Sequence, residues 1–365
     1  MKVIELQNGF GIESLKLTER LIPKVSSGQV LIKMQAASLN YRDLIIINGA
    51  LGLKHPFPFI PLSDGVGEVV EVGEGVTRFK TGDRVAGIFF QNWLSGELGE
   101  MHPSSSLGGA LLYGGALTDT LYGRELPDAQ IQSLLGNVLD GVLAEYIVLP
   151  EYGIVHVPEH LTSEEAATLP CAAVTSWNAV VTSGGVKAGD TVLVQGTGGA
   201  SLFALQFAQL SGARVIATSS SDEKIEKLHQ LGVLDTINYK KTPDWGNRVQ
   251  EITGGVGVDL VVEVGGPSTI NESLRAVRYG GKISFFGSLT GGDGVVNTGA
   301  IFLKSLQLQG IYVGSREMFE EMNRAIALHK MRPIVDRVFA FEEIGEALAY
   351  EASGAHFGKI CIRFE

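Results

Sequence analysis

Residues 191–224 read TVLVQGTGGASLFALQFAQLSGARVIATSSSDEK, a pattern of strand, glycine turn, helix and second strand. Thr191 to Gln195 is a short apolar run with β-branched residues, suited to a strand buried on both faces. Gly196, Gly198 and Gly199 follow at once. From Ala200 to Leu210, Leu202, Phe203, Leu205 and Phe207 are set against Gln206 and Gln209 at a helical period. Gly212 closes that helix, and Arg214 to Thr218 is a second strand of the buried type. This is half of a mononucleotide-binding unit, and it predicts an α/β fold with a doubly wound parallel sheet.

A strand that turns directly into a helix aims the helix N-terminus beyond the sheet. Free backbone N–H groups and the helix dipole favour an anion there, typically a pyrophosphate. Glycines let the backbone approach that anion with no Cβ in the way. The candidate cofactor-binding turn is therefore Gly196, Thr197, Gly198, Gly199, Ala200 and Ser201. In the pattern G-x-G-x-x-G the third glycine is replaced by Ser201, which is small enough to keep most of the close helix–strand packing.

The second strand leads into Ser219, Ser220 and Ser221. An acid about twenty residues after the glycine turn would grip the ribose 2′-hydroxyl of NAD, and Ser219 stands there instead. Hydroxyls at Ser219 and Ser220 with Lys224 nearby suit a 2′-phosphate, which a carboxylate would repel. Tyr239, closing the short strand Thr236 to Tyr239, flanks the same place. These residues favour NADP(H) over NAD(H). The serines equally suit the cap of a helix starting near Asp222, and the two roles are compatible.

The chain has 365 residues, 45% hydrophobic and 19% charged, which leaves room for two globular domains. Its net charge of −11 argues against nucleic acid or an anionic membrane as partner. No run of eighteen apolar residues points to a membrane span, and the N-terminal MKVIELQNGFGIESLKL alternates like a strand. Two cysteines without a spacing pattern, Cys171 and Cys361, suit a reducing, cytoplasmic location.

Residues 1–157 are β-rich, with strands expected at Val30 to Gln35, Gly65 to Val72, Asp83 to Ala86, Ala144 to Leu149 and Gly153 to Val157. Within them, 91–141 form a long Gly-, Ser- and Leu-rich insertion without period, a lid, a partner arm or a tolerated surface loop. From about Pro158 strands alternate with helices: a helix from Thr162 with a break at Pro170, then strands at Asp259 to Val264, Lys282 to Gly287 and Leu306 to Val313, six in all up to residue 314. Helices at Arg316 to His329 and Phe341 to Glu351 and a tail strand, Gly358 to Phe364, return residues 315–365 to the first domain.

The stretches Ser38-Leu39-Asn40-Tyr41-Arg42-Asp43, Gly65 to Gly73, Thr81-Gly82-Asp83-Arg84-Val85, Ala166 to Cys171, Gly196 to Gly199 and Val262 to Gly266 together resemble the medium-chain dehydrogenase/reductases. Within that superfamily the chain looks most similar to the zinc-independent quinone oxidoreductase-like branch. The resemblance implies a GroES-like catalytic domain, a Rossmann cofactor domain and a homodimer. It places Asn40 and Tyr41 near the nicotinamide as catalytic candidates, with Asp64 as the counterpart of an acid behind the metal in the zinc enzymes. It adds Thr175, Val264, Gly287, Ser288 and Val313 to the cofactor site and lets Lys359 reach a cofactor phosphate. Where the zinc alcohol dehydrogenases need Cys, His and usually Glu, this chain has Asn40, Ser63 and Asp64. Cys171 alone matches a ligand position, and one thiolate cannot hold a zinc that wants three protein ligands. The expectation is a metal-free pocket with Cys171 as a small buried residue.

Without a Lewis acid an alkoxide loses its usual stabilisation, whereas a conjugated carbonyl or quinone accepts hydride charge by itself. The expected function is zinc-independent, NADP(H)-dependent hydride transfer to a quinone or α,β-unsaturated carbonyl. A metal-free alcohol dehydrogenase and a dinucleotide-binding protein without turnover are the alternatives.

Overall fold

The structure is a computed structural model that describes residues 1–49, 57–96, 133–137 and 139–365. The body of the 91–141 insertion thus lies outside the described residues, as does the stretch after Gly49. The chain divides into two compact units, Met1–Val174 with Gly314–Glu365, and Thr175–Val313.

The first unit is built on β1 (Lys2–Leu6), β2 (Leu15–Glu19), β3 (Gln29–Ser38), β4 (Asp64–Val72), β5 (Arg84–Gly87), β6 (Tyr146–Pro150) and β7 (Ile154–His156). Its helices are α1 (Tyr41–Ile47) and α2 (Ser163–Ala167). The middle of β3 alternates as the pleat requires, with Ile32, Met34 and Ala36 buried in alternation with Lys33 and Gln35, while both ends of the strand are buried on both faces. β3 pairs antiparallel with both β4 and β6 and so forms the spine of the unit. Its core gathers Ile32, Val69, Leu149 and Ile362 from four different strands.

Residues 158–174 belong to this unit, whereas the sequence reading assigned them to the cofactor domain. Thr162 caps α2: its Oγ1 accepts from Glu165 N at 3.2 Å, and Thr162 N donates to Glu165 Oε2 at 2.9 Å. The helix then buries Ala166 and Ala167. Pro170 brings no backbone N–H, and the expected break there is a widened π-type turn over Leu169–Ala173. The insertion is also narrower than its composition indicates. Gln91 N donates to Ser133 O at 3.0 Å and Leu135 N to Phe89 O at 3.3 Å, and Trp93, Leu134 and Leu135 are buried.

The second unit carries β8 (Thr191–Gln195), β9 (Arg214–Ser219), β10 (Asp235–Asn238), β11 (Val258–Glu263), β12 (Val277–Phe285) and β13 (Gln307–Gly310). They form one six-stranded sheet in the order β10-β9-β8-β11-β12-β13, with every pairing parallel. Its crossover helices are α3 (Gly199–Leu210), α4 (Asp222–Gln230), α5 (Trp245–Ile252), α6 (Ile270–Ala276) and α7 (Thr298–Leu303). Leu193, Ile216, Ile237, Val261 and Ile283 place one residue from each of five strands in a common core. The strand order reverses between β8 and β11, so the carboxyl ends of those two strands flank the ligand crevice of such a sheet.

The chain returns to the first unit through α8 (Arg316–His329), β14 (Val335–Ala340), α9 (Ile344–Ala352) and β15 (Lys359–Arg363). β15 pairs parallel with β14 and antiparallel with β3, which places the last strand beside the first long one. Among the described residues no helix is long and apolar enough to cross a membrane.

Candidate active site

In the first unit, α1 begins at the end of β3. Asn40 is its N-cap, and Asp43 Oδ2 accepts from Asn40 N at 2.9 Å. The Arg42 guanidinium lies 3.1 Å from Asp43 Oδ1 and 4.7 Å from the Phe89 ring centre, so this ion pair is structural. Tyr41, by contrast, is half exposed. Burial, opposed by Arg42, pushes the Asp43 carboxyl up to about 6.

Asp64, at the start of β4, is fully buried. Its Oδ1 accepts from Ser63 Oγ at 2.7 Å and its Oδ2 from Cys171 N at 3.0 Å. Burial raises its pKa, while Lys359, Ser63, Asn40 and the Cys171 amide hold it down. The sequence reading placed Asp64 among the catalytic candidates. In the structure it is enclosed, and both of its oxygens accept hydrogen bonds.

Lys359 also differs from the reading that sent it to a cofactor phosphate. It is 4% exposed, and its ammonium donates to Leu39 O and, at 2.7 Å, to Asn40 Oδ1. Because an ammonium only donates, the oxygen of the Asn40 amide must face it. Asn40 Nδ2 is therefore directed towards Asp64, whose carboxylate it favours, although the two make no hydrogen bond of ordinary geometry. Asn40, Asp64, Cys171 and Lys359 thus form one set drawn from four separate stretches of sequence.

That set does not fit a zinc ion. Cys171 is the one thiol in the set, and a single thiolate cannot by itself hold the ion. The Asn40 oxygen is occupied by an ammonium, and Ser63 brings a hydroxyl where an imidazole is needed. Among the described residues no group of three or more His, Cys, Asp or Glu could hold a metal.

The second unit carries the dinucleotide half. Gly196 has φ 74°, a conformation that glycine adopts without strain, and its N–H donates to Thr218 O at 2.9 Å. Gly198 is the N-cap of α3, with no side chain capping the helix and nothing within 4 Å of a Cβ added to it. Together with Gly199 and Ala200 it leaves an open N-terminus, so the turn fits a dinucleotide pyrophosphate. Thr197 is buried in the same turn. Ser201 is buried as well, and its hydroxyl donates to Gln195 O at 2.7 Å, which makes it a tie as well as a small residue.

Ser219 is 1% exposed, and its Oγ accepts from Ser221 N at 3.4 Å. It faces inward and is not open to a 2′-phosphate, a correction to the sequence reading. Ser221 caps α4 through Lys224 N at 3.4 Å, so the capping role holds there. Of the remaining candidates Ser220 and Lys224 are partly exposed and Tyr239 is 40% exposed, with Tyr239 N bonded to Ser219 O at 3.0 Å. Asp222 is engaged by Lys241 and by Asn238 Nδ2.

Val264 O accepts from Leu289 N at 3.3 Å, and a Cβ on Gly287 would stand 2.6 Å from that same oxygen. Ser288 Oγ bonds to Gly291 O. Thr175 is buried at the start of the unit. Val313, at its end, has φ 56°, a strained conformation for a β-branched residue, and Asn178 Nδ2 holds its carbonyl at 2.8 Å. Gln195 and Glu263 were not singled out from the sequence. The available signal was a polar residue after a buried apolar run at the end of each strand, Gln195 on β8 and Glu263 on β11.

Residues 26–159 match the alcohol dehydrogenase GroES-like domain family and residues 199–328 the zinc-binding dehydrogenase family. A zinc-type alcohol dehydrogenase-like protein of Schizosaccharomyces pombe is 42% identical over 97% of this chain and 96% of its own. An acryloyl-coenzyme A reductase of Metallosphaera sedula is 28% identical, with 93% of each chain covered. The solved structure of a putative alcohol dehydrogenase from Sinorhizobium meliloti superposes with a TM-score of 0.87 and 38% identity, covering 100% of this chain and 99% of that one. A GroES-like unit, a six-stranded parallel sheet with its glycine turn and these full-length likenesses lead to one conclusion: the chain belongs to the medium-chain dehydrogenase/reductase superfamily and is an oxidoreductase of that family.

Proposed function

We propose that the chain is a metal-independent, NADP(H)-dependent reductase of an activated C=C bond or a quinone. The observation that carries this reading is that Asn40, Ser63 and Asp64 stand where a catalytic zinc would need ligands, with the Asn40 oxygen taken by the Lys359 ammonium and the Asp64 carboxylate enclosed. An alcohol substrate there lacks the cation that would stabilise its alkoxide. A conjugated carbonyl needs only a hydride donor and a polar group near its oxygen. The dinucleotide supplies the hydride. Tyr41 stands exposed at the start of α1 as proton donor or pocket wall, with Asn40 fixed beside it by Lys359, and the Gly196–Ser201 turn anchors the pyrophosphate. A relative named acryloyl-coenzyme A reductase supports activated-alkene chemistry. Relatives named alcohol dehydrogenase, 31% identical, keep a metal-free alcohol dehydrogenase as the second reading.

The test is NADPH consumption by chelator-treated protein offered a simple quinone and a simple enone, with NADH and an alcohol plus NADP+ in parallel. Oxidation of NADPH by either acceptor is expected. Turnover only with the alcohol would support the second reading, and activity that needs added zinc would overturn both.

The cofactor preference rests on Ser220, Lys224 and Tyr239, with no carboxylate at the end of β9. Ser220→Asp places a negative charge beside the 2′-phosphate, and like charges so placed cost enough to weaken NADPH by about tenfold or more. NADH binding is expected to stay within about twofold. Equal losses for both dinucleotides in a fluorescence titration would refute the preference.

A further inference from the structure

Glu263 is fully buried at the end of β11, and its partners are all neutral donors. Oε1 accepts from Gly265 N at 2.8 Å, Gly266 N at 3.0 Å and Thr269 Oγ1 at 2.5 Å. Oε2 accepts from Gln195 Nε2 at 2.7 Å and from Ser273 Oγ. A buried charge is tolerated only when its lone pairs are filled, and five donors fill them here.

Gln195 completes the bridge from the neighbouring strand. Its Nε2 also donates to Ser273 Oγ at 2.7 Å. Its Oε1 accepts from Val264 N at 3.3 Å and Gly265 N at 3.4 Å, while its main-chain oxygen takes the Ser201 hydroxyl. One amide and one carboxylate thereby join the end of β8, the first turn of α3 and the Val264–Gly266 turn. Gly265 is required for this: a Cβ there would stand 2.3 Å from Thr269 Oγ1.

We propose that Glu263, acting through Gln195, is a positioning residue for the dinucleotide, holding the Gly196 turn and the Val264 turn in fixed register at the switch point of the sheet. The inference rests on the dinucleotide reading above. Glutamine at 263 keeps the shape but replaces one acceptor oxygen with an NH2 group, which must then face a peptide N–H, the Gln195 amide or a hydroxyl that now donates. The turns lose their common anchor, and a binding site without a locked supporting shell loses affinity.

The experiment is NADPH binding by fluorescence titration, with KM for NADPH and kcat measured on the same full-length variants. Glu263→Gln and Gln195→Leu are each expected to raise the Kd for NADPH about tenfold or more, with KM for NADPH rising more than kcat falls. If Glu263→Gln does not fold, Gln195→Leu decides. Folded variants at 263 or 195 with wild-type affinity overturn the inference while wild-type binding upholds the dinucleotide reading. A wild-type protein that binds neither NADPH nor NADH overturns that reading and this inference with it.

Discussion

Lys359→Met is expected to lower the unfolding free energy by about 3–5 kcal/mol, because Leu39 O and Asn40 Oδ1 lose their buried donor and the buried Asp64 loses a compensating cation. The ammonium is almost completely enclosed, holds Leu39 O and Asn40 Oδ1, and its charge opposes the rise that burial imposes on the Asp64 pKa. Methionine fills much of the same volume but leaves that carboxylate uncompensated, so Asp64 takes up a proton instead. The sign follows. Without Lys359 the folded-state pKa of Asp64 rises further above its unfolded value, so the deficit grows as pH rises and shrinks in acid. Chemical denaturation at pH 5 and pH 8 should show the larger loss at pH 8. The double variant Lys359→Met/Asp64→Asn should recover more than half of it, because the uncompensated charge is then gone. A single variant within about 1 kcal/mol of wild type at both pH values would show that the pair contributes little.

Glu351 on α9 carries the second large effect, and it runs with pH in wild type itself. The residue is buried and its Oε2 has no hydrogen-bond partner. Burial, reinforced by the Asp43 charge and opposed by Lys359, pushes its carboxyl up to about 8 from 4.5. A raised acid holds its proton in the folded chain after the unfolded chain has released it. Between about pH 4.5 and 8 the unfolded state therefore binds fewer protons, and stability falls as pH rises. Glu351→Gln removes that slope. The variant is expected to match wild type near pH 4.5 and to exceed it by about 2–4 kcal/mol at pH 8. Parallel stability curves for the two proteins across this window would sink the assignment. Asp43 titrates nearby, but its carboxylate also caps α1 and pairs with Arg42, so Glu351 is the cleaner position to vary.

Local pattern alone was enough for the sheet and its phosphate turn. The strands at Thr191–Gln195 and Arg214–Ser219, the glycine turn and α3 are contiguous in the chain, and hydrophobic period, glycine placement and helix capping act over a few residues. The residues on which the metal-free expectation rests, Asn40, Ser63 and two cysteines in all, are likewise plain from the sequence. Packing decided what those identities do. Ser219 turned inward and Ser221 became the cap, a choice set by the pairing of β9 with β10 and β8. Lys359 meets Leu39 across 320 positions, and Gln195 meets Glu263 across 68. No periodicity or motif spans such separations. Whether a lysine reaches solvent or turns inward onto a main-chain carbonyl and an amide depends on which strands lie side by side. Here β15 lies against β3, and so the last strand of the chain, rather than any residue near Asn40 in sequence, sets the direction in which the Asn40 amide points.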